Sequence, residues 1–200
     1  AGPANKQGRI AADNICGGNS RFTGSQGSSV LKLFGLTAAS TGINEKTAQA
    51  AEIAYDTVVL FPASHAAYYP GARSMAMKVL YEKESLRLLG AQIVGGDGVD
   101  KRIDVLATAI RAKMTALELT ELDLSYAPPY SSAKDPVNMA GFMIEDLESG
   151  KVCQFHWDEV TALPRDGGVT LLDVRTAEEY PRGNLAGCRN LPLDVLREHL

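Results

Sequence analysis

Ser74-Met75-Ala76-Met77-Lys78-Val79-Leu80-Tyr81, then Glu82-Lys83-Glu84-Ser85, then Leu86-Arg87-Leu88-Leu89-Gly90-Ala91-Gln92-Ile93-Val94 is the stretch from which the architecture is read. Two apolar runs flank a short polar joint, the pattern of a β-hairpin. Gly95-Gly96-Asp97-Gly98 closes the second strand, and Asp100 to Met114 continues as a helix. Its Ile103, Leu106, Ala107, Ile110 and Met114 fall at helical spacing on one face. A short helix over Thr115 to Leu122 precedes Tyr126-Ala127-Pro128-Pro129-Tyr130, where adjacent prolines impose extended backbone.

Working upstream, Thr57-Val58-Val59-Leu60-Phe61 is a short β-rich run ended by Pro62. Asn44 caps a helix with Glu45 in its first turn and Thr47 to Ala54 continuing it. Val30 to Thr37 has strand composition, behind a polar, glycine-rich connection from Asn19 to Ser29. Strand, helix, three strands and two helices make an α+β domain, its mainly antiparallel sheet covered on one face. Downstream, Ser131 to Glu148 reads as a last helix and Ser149-Gly150-Lys151 as a linker. Val169-Thr170-Leu171-Leu172-Asp173-Val174 then has the continuous apolar pattern of a buried parallel strand, Thr176 to Glu179 caps a short helix, and the block is α/β.

Residues 4–15 form a helix, with Pro3 at a first helical position and Gly17-Gly18 as its stop. The final residues, Leu193 to Leu200, are helical to the last position, so the expectation is a segment of a longer protein. The 200 residues carry a net charge of −4, against a nucleic-acid module, which needs clustered cations to displace counterions. With 45% hydrophobic and 22% charged residues the composition is that of a globular chain. No run approaches the ~20 apolar residues of a membrane span. Cys16, Cys153 and Cys188 are too scattered for a disulfide framework, so a cytoplasmic location is expected.

Few residues stand out chemically. Gly95-Gly96-Asp97-Gly98 lacks the further glycine or the Lys-Ser/Thr of a phosphate loop and reads as a plain turn. The three cysteines have no CxxC partner, and His65, His156 and His199 lie far apart, so no metal site is expected. Asp100, Lys101, Arg102 and Asp104 read as a solvated helix face. Tyr68-Tyr69-Pro70-Gly71 and Tyr126 to Tyr130 place phenols on proline-stiffened backbone. Such phenols either meet a developing anion as donors or pack with their hydroxyls in water; the residues alone favour packing.

The stretch from Gly2-Pro3-Ala4-Asn5-Lys6-Gln7-Gly8-Arg9 to Ile15 resembles the last FAD-domain helix of the pyridine nucleotide-disulfide oxidoreductases. The similarity is to the branch of coenzyme A-disulfide reductase, NADH oxidase and NADH peroxidase. Leu36-Thr37-Ala38-Ala39-Ser40-Thr41-Gly42, Lys101 to Val105, and the long motif from Tyr126 through Ser131-Ser132-Ala133-Lys134-Asp135-Pro136-Val137-Asn138-Met139-Ala140-Gly141 resemble that branch's C-terminal dimerisation domain. Leu171 to Tyr180 and Gly183 to Pro192 resemble the first half of a rhodanese domain, with Asn184 where that family more often has His. The implied organisation is the end of an FAD-binding domain over 1–18, a dimerisation domain over 19–148, and the start of a rhodanese-like domain over 149–200. The rhodanese catalytic cysteine would fall downstream of Leu200, and neither Cys153 nor Cys188 matches it.

What the resemblance implies is a portion of an FAD-dependent, NAD(P)H-using reductase of coenzyme A disulfide, persulfide or polysulfide, paired as a homodimer. The redox cysteine and the nicotinamide site would belong to upstream domains. Ala1 and Gly2 would open a helix toward the flavin, where N-terminal amides favour negative charge. Tyr68 and Tyr126 match the tyrosines that coenzyme A-disulfide reductases lend to the partner subunit's active site, which turns the balance for this pair from packing to catalysis. Tyr69, Tyr130 and His65 would lie near the substrate, while Lys134 and Asp135 are structural. The alternatives are an NADH oxidase or peroxidase of the same family, and a dimerisation module without activity of its own.

Overall fold

The computed structural model describes residues 2–199 and divides into two units, Ala1–Val152 and Cys153–Leu200. The first unit opens with helix α1 (Gly2–Ile15). Gly17 at φ 88 ends it, and the Gly18 amide closes back onto the Asp13 carbonyl at 2.8 Å.

A sheet of five antiparallel strands follows: β1 (Ser29–Leu33), β2 (Leu36–Gly42), β3 (Tyr55–Leu60), β4 (Met75–Glu82) and β5 (Leu88–Gly95), in the spatial order β1-β2-β5-β4-β3. The alternation in β4 explains its place inside the sheet, between β5 and β3. Met75, Met77 and Val79 are buried while Ala76 and Lys78 are not, and Met77 and Val79 pair with Ile93 and Ala91 of β5. A register shift between Leu80 and Tyr81 buries both. The Tyr81 hydroxyl donates to Glu148 Oε1 at 2.9 Å, and burial first, then this bond, pushes its phenol well above the ordinary value.

One face of the sheet is covered. Helix α3 (Val99–Ala112) lies on β5 and β2, with Val99, Ile103, Leu106 and Ala109 buried. Helix α4 (Pro136–Glu148) packs beside it through Val137, Ala140 and Ile144, against a 3₁₀ turn at Leu117–Glu121. Each fully buried Leu, Ile, Val or Met here contributes ~1.5–3 kcal/mol of transfer free energy. Between β2 and β3, helix α2 (Glu45–Ala50) starts at Asn44, whose side chain accepts from the Thr47 amide at 2.9 Å. It ends four residues short of the expected Ala54, where Glu52 turns to φ 53.

Three further expectations are corrected. Val30 to Thr37 is two strands, because Phe34 takes φ 52 and, with Gly35, turns the chain so that Leu33 pairs with Leu36. The last helix begins at Pro136 rather than Ser131, since Asp135 is its N-cap and Pro136 sets its first turn. Thr115 to Leu122 is a 3₁₀ turn of five residues, opened by a Thr115–Glu118 capping pair.

The second unit is sparse. Strands β6 (Leu172–Asp173) and β7 (Arg189–Asn190) pair in parallel, and helix α5 (Leu193–Leu196) follows. The expected buried strand is therefore short and exposed: Val169, Leu172 and Val174 are all accessible. Its polar frame is well defined, with Arg175 on Asp173 and on the Gly183 carbonyl, Asn190 on the Asp173 and Arg175 carbonyls, and Thr176 and Glu179 capping each other. Among the described residues, no helix is long and apolar enough to cross a membrane.

Candidate functional site

Two loops carry the tyrosines. The first joins β3 to β4. Its base is closed by the Ser64 amide on the Arg73 carbonyl at 2.8 Å and the Met75 amide on the Pro62 carbonyl at 2.9 Å. Inside it, the Arg73 amide donates to Ser64 Oγ at 3.1 Å, and Ser64 Oγ lies 3.1 Å from His65 Nδ1. His65 Nε2 faces the Pro70 carbonyl at 3.3 Å, an acceptor only, so Nε2 donates there. The imidazole is buried and meets the Tyr69 ring edge-on at 5.8 Å between centroids. His65, expected near substrate, thus has both nitrogens engaged within its own loop.

The second loop runs from the 3₁₀ turn to α4. The extended backbone expected at Pro128 and Pro129 is not found: fixed φ suits a helical turn equally well, and the two prolines form the middle of one in which the Tyr130 and Ser131 amides both reach the Ala127 carbonyl, at 2.9 and 3.1 Å. Asp135 then caps α4, its Oδ1 accepting from the Val137 amide at 3.0 Å. The loops touch directly where the Ala66 amide donates to the Ser131 carbonyl at 3.0 Å.

Their joint product is a pair of phenols. Tyr68 Oη and Tyr126 Oη stand 3.0 Å apart although 58 residues separate them. Tyr68 is 77% exposed and Tyr126 48%. The bond from Tyr68, aided by local burial, holds the Tyr126 phenol above its ordinary value. In such a pair one hydroxyl donates to the other, and the acceptor's own O–H remains free for an incoming acceptor. Tyr130 is exposed with its ring outward, and Tyr69 is half-exposed against His65. Gly2 stands on a different element, at the start of α1, while Ala1 lies outside the described residues.

The reading of residues 100–104 as a solvated face fails at Arg102, which is 1% exposed. Its Nη2 donates to the Ser64 carbonyl at 3.0 Å, the Tyr130 carbonyl at 3.3 Å, Ser131 Oγ at 3.2 Å and Asp135 Oδ2 at 3.0 Å. Nη1 reaches the Gly98 carbonyl at 3.1 Å. Asp135 also accepts from Ser131 Oγ at 2.7 Å, and Lys101 Nζ approaches it at 3.6 Å. Burial pushes the Asp135 carboxyl up, but the Val137 amide, Ser131 and Arg102 outweigh it and hold the group below the usual carboxylate range. The signal was in the spacing: Arg102 stands three residues after Val99 and four before Leu106, on the buried stripe of α3.

At the opposite edge of the sheet, the β1–β2 hairpin displays Val30, Leu31, Leu33, Phe34 and Leu36 to solvent, Phe34 at 93% exposure, while its turn reaches the Tyr68 loop where Arg73 Nη1 donates to the Gly35 carbonyl at 3.2 Å. A contiguous apolar set of this kind marks a contact surface. The first turn of α1 contains no acidic side chain, and a Cβ built on Gly2 meets nothing within 4 Å.

Comparison with known proteins now places the chain. Residues 29–136 match the family model described as the pyridine nucleotide-disulphide oxidoreductase dimerisation domain. Coenzyme A disulfide reductase of Staphylococcus haemolyticus is 41% identical over 145 residues, covering 72% of this chain and 32% of that protein. The chain thus spans about a third of the length of the curated relatives it matches. Among solved structures, reduced Bacillus anthracis CoADR-RHD superposes with a TM-score of 0.91 at 48% identity, covering 98% of this chain and 35% of that one. A NAD-dependent persulfide reductase from A. fulgidus gives 0.89 at 42% identity, over 98% of this chain and 35% of that one. The water-forming NADH oxidase of Lactobacillus brevis, at 20% identity and a TM-score of 0.69 over 74% of this chain and 33% of that one, shares the fold. The domain match covers more than half of the residues, and on it the chain belongs to the pyridine nucleotide-disulphide oxidoreductase family.

Proposed function

We propose that this chain is the C-terminal portion of an FAD-dependent NAD(P)H:disulfide or persulfide reductase, and that Tyr68 and Tyr126 act on the sulfur substrate held by a partner subunit. The observation that carries the reading is the 3.0 Å contact between the two hydroxyls on an exposed rim, made from loops far apart in sequence. Two buried phenols would only fill space; two exposed, mutually bonded ones leave a proton for an incoming thiolate. A leaving sulfur departs more readily as its negative charge is met. The Tyr126 phenol, held above its ordinary value, keeps its proton at neutral pH and supplies such a donor.

The named relatives, a coenzyme A disulfide reductase and a NAD-dependent persulfide reductase, support the substrate class. Pairing through this domain, supported by the family's description and by the apolar β1–β2 hairpin, would present the phenols to the other chain's site. The first turn of α1 carries no acidic side chain, which fits a helix N-terminus directed at the negative charge of a reduced flavin. Bound FAD would relay electrons from nicotinamide to a redox thiol. Within the same reading, residues 1–18 end the FAD-binding domain, 19–148 form the dimerisation domain and 149–200 begin a rhodanese-like domain.

The test is the Tyr68→Phe/Tyr126→Phe double variant of the full-length protein, assayed with coenzyme A disulfide. Turnover is expected to fall by about two to three orders of magnitude, the range for losing one preorganised donor to a developing anion (roughly 10²–10³-fold in kcat), while bound FAD is retained. Wild-type turnover would remove the catalytic assignment.

A further inference from the structure

Resting on the reading above, we propose that Arg102 is a positioning residue for the reductase site: a single buried guanidinium that sets the spacing of the two tyrosine loops and thereby the contact between Tyr68 and Tyr126. The loops meet directly at one backbone bond, the Ala66 amide on the Ser131 carbonyl, and both reach the same cation, the Tyr68 loop through the Ser64 carbonyl and the Tyr126 loop through the Tyr130 carbonyl, Ser131 Oγ and Asp135. Arg102 projects from α3, which packs on the sheet, so both loops are referred to the rigid part of the domain.

The surroundings are built for arginine. Gly98 takes φ 67, and a Cβ there would meet Arg102 Nη1 at 2.1 Å. The planar fork satisfies acceptors in several directions from one point, which an ammonium on a flexible stem cannot do. The acceptors fall into two groups that differ in consequence. Asp135, which caps α4, answers the charge; the Ser64 and Tyr130 carbonyls answer the geometry. A substitution that keeps the charge and loses the fork therefore separates stability from placement.

The experiment uses the full-length protein carrying Arg102→Lys, with Asp135→Asn as a second variant that keeps the guanidinium but removes its counter-charge. Each is assayed well below its own melting midpoint, with FAD content and dimer formation checked. Misplacing a catalytic donor by about an ångström costs on the order of 100-fold in rate. Arg102→Lys is expected to lower kcat with coenzyme A disulfide by 10- to 100-fold with little change in KM. The same substitution should return the Tyr126 phenol toward an ordinary titration, followed by fluorine NMR of 3-fluorotyrosine-labelled protein and assigned with Tyr126→Phe. A folded, flavin-loaded Arg102→Lys protein with wild-type kcat and an unmoved Tyr126 titration would overturn the proposal and leave Arg102 as a stability element. Loss of the Tyr126 upshift in Arg102→Lys, together with full turnover in Tyr68→Phe/Tyr126→Phe, would instead uphold the positioning role and overturn the catalytic reading of the tyrosines.

Discussion

Asp135 shows how one carboxylate ties stability to pH. Its carboxyl is held below the usual range in the folded protein, so the contribution it makes is fully present above the unfolded value of ~3.9 and is lost as pH falls through the folded value. The expected result is an acid limb in the unfolding midpoint below about pH 4, measured by thermal melts from neutral to strongly acid buffer. Asp135→Asn should flatten that limb and lower stability at neutral pH, because Arg102 is then buried without a counter-charge. Breaking a buried pair from one side costs about 3–5 kcal/mol, a figure for pairs as enclosed as this one, with side chains 1% and 4% exposed. Little of this was legible in the sequence, where Arg102 looked like one charge in a run of four. Charge type is visible in a sequence, but burial of a charge depends on partners supplied by segments around Ser64 and Tyr130.

At the scale of elements, caps and turns carry the predictable energies. Asn44→Ala removes the acceptor of the Thr47 amide and should cost about 0.5–2 kcal/mol. Gly98→Ala meets two penalties, a left-handed φ and a Cβ contact with Arg102 at 2.1 Å, and should cost about 1–3 kcal/mol. Urea unfolding of the two variants checks both, and equal stability for Gly98→Ala would mean that the turn can relax. The elements that read correctly had clear local signals: Pro3 and the Gly17-Gly18 stop for α1, two apolar runs about a polar joint for the β4–β5 hairpin, and apolar residues at helical spacing for α3. The β1–β2 hairpin was hidden because Phe34-Gly35 is not a usual turn pair, and the turn depends on Phe34 accepting φ 52. The start of α4 was misplaced because Ser131 is as good a cap by composition as Asp135.

For the whole molecule, the proposed function makes subunit exchange decisive. If the tyrosines serve the other chain, a Tyr68→Phe/Tyr126→Phe subunit and a subunit lacking its redox cysteine are each inactive alone but complement when mixed. Equal mixing should restore roughly a quarter of wild-type turnover, since about half the dimers are mixed and each holds one complete site. Activity that stays absent after verified exchange would place the tyrosines in the same chain as the thiol they serve.

Residue order alone established the α+β class, the antiparallel sheet covered on one side, and the two tyrosine-bearing loops, because apolar periodicity and proline act locally. Tertiary structure decided that the loops meet, that Tyr68 and Tyr126 touch at 3.0 Å, and that Arg102 lies at their junction. Those are contacts across 58 and up to 38 residues of chain, and long-range contacts form only when the packed sheet and helices bring distant segments together, which no local pattern encodes.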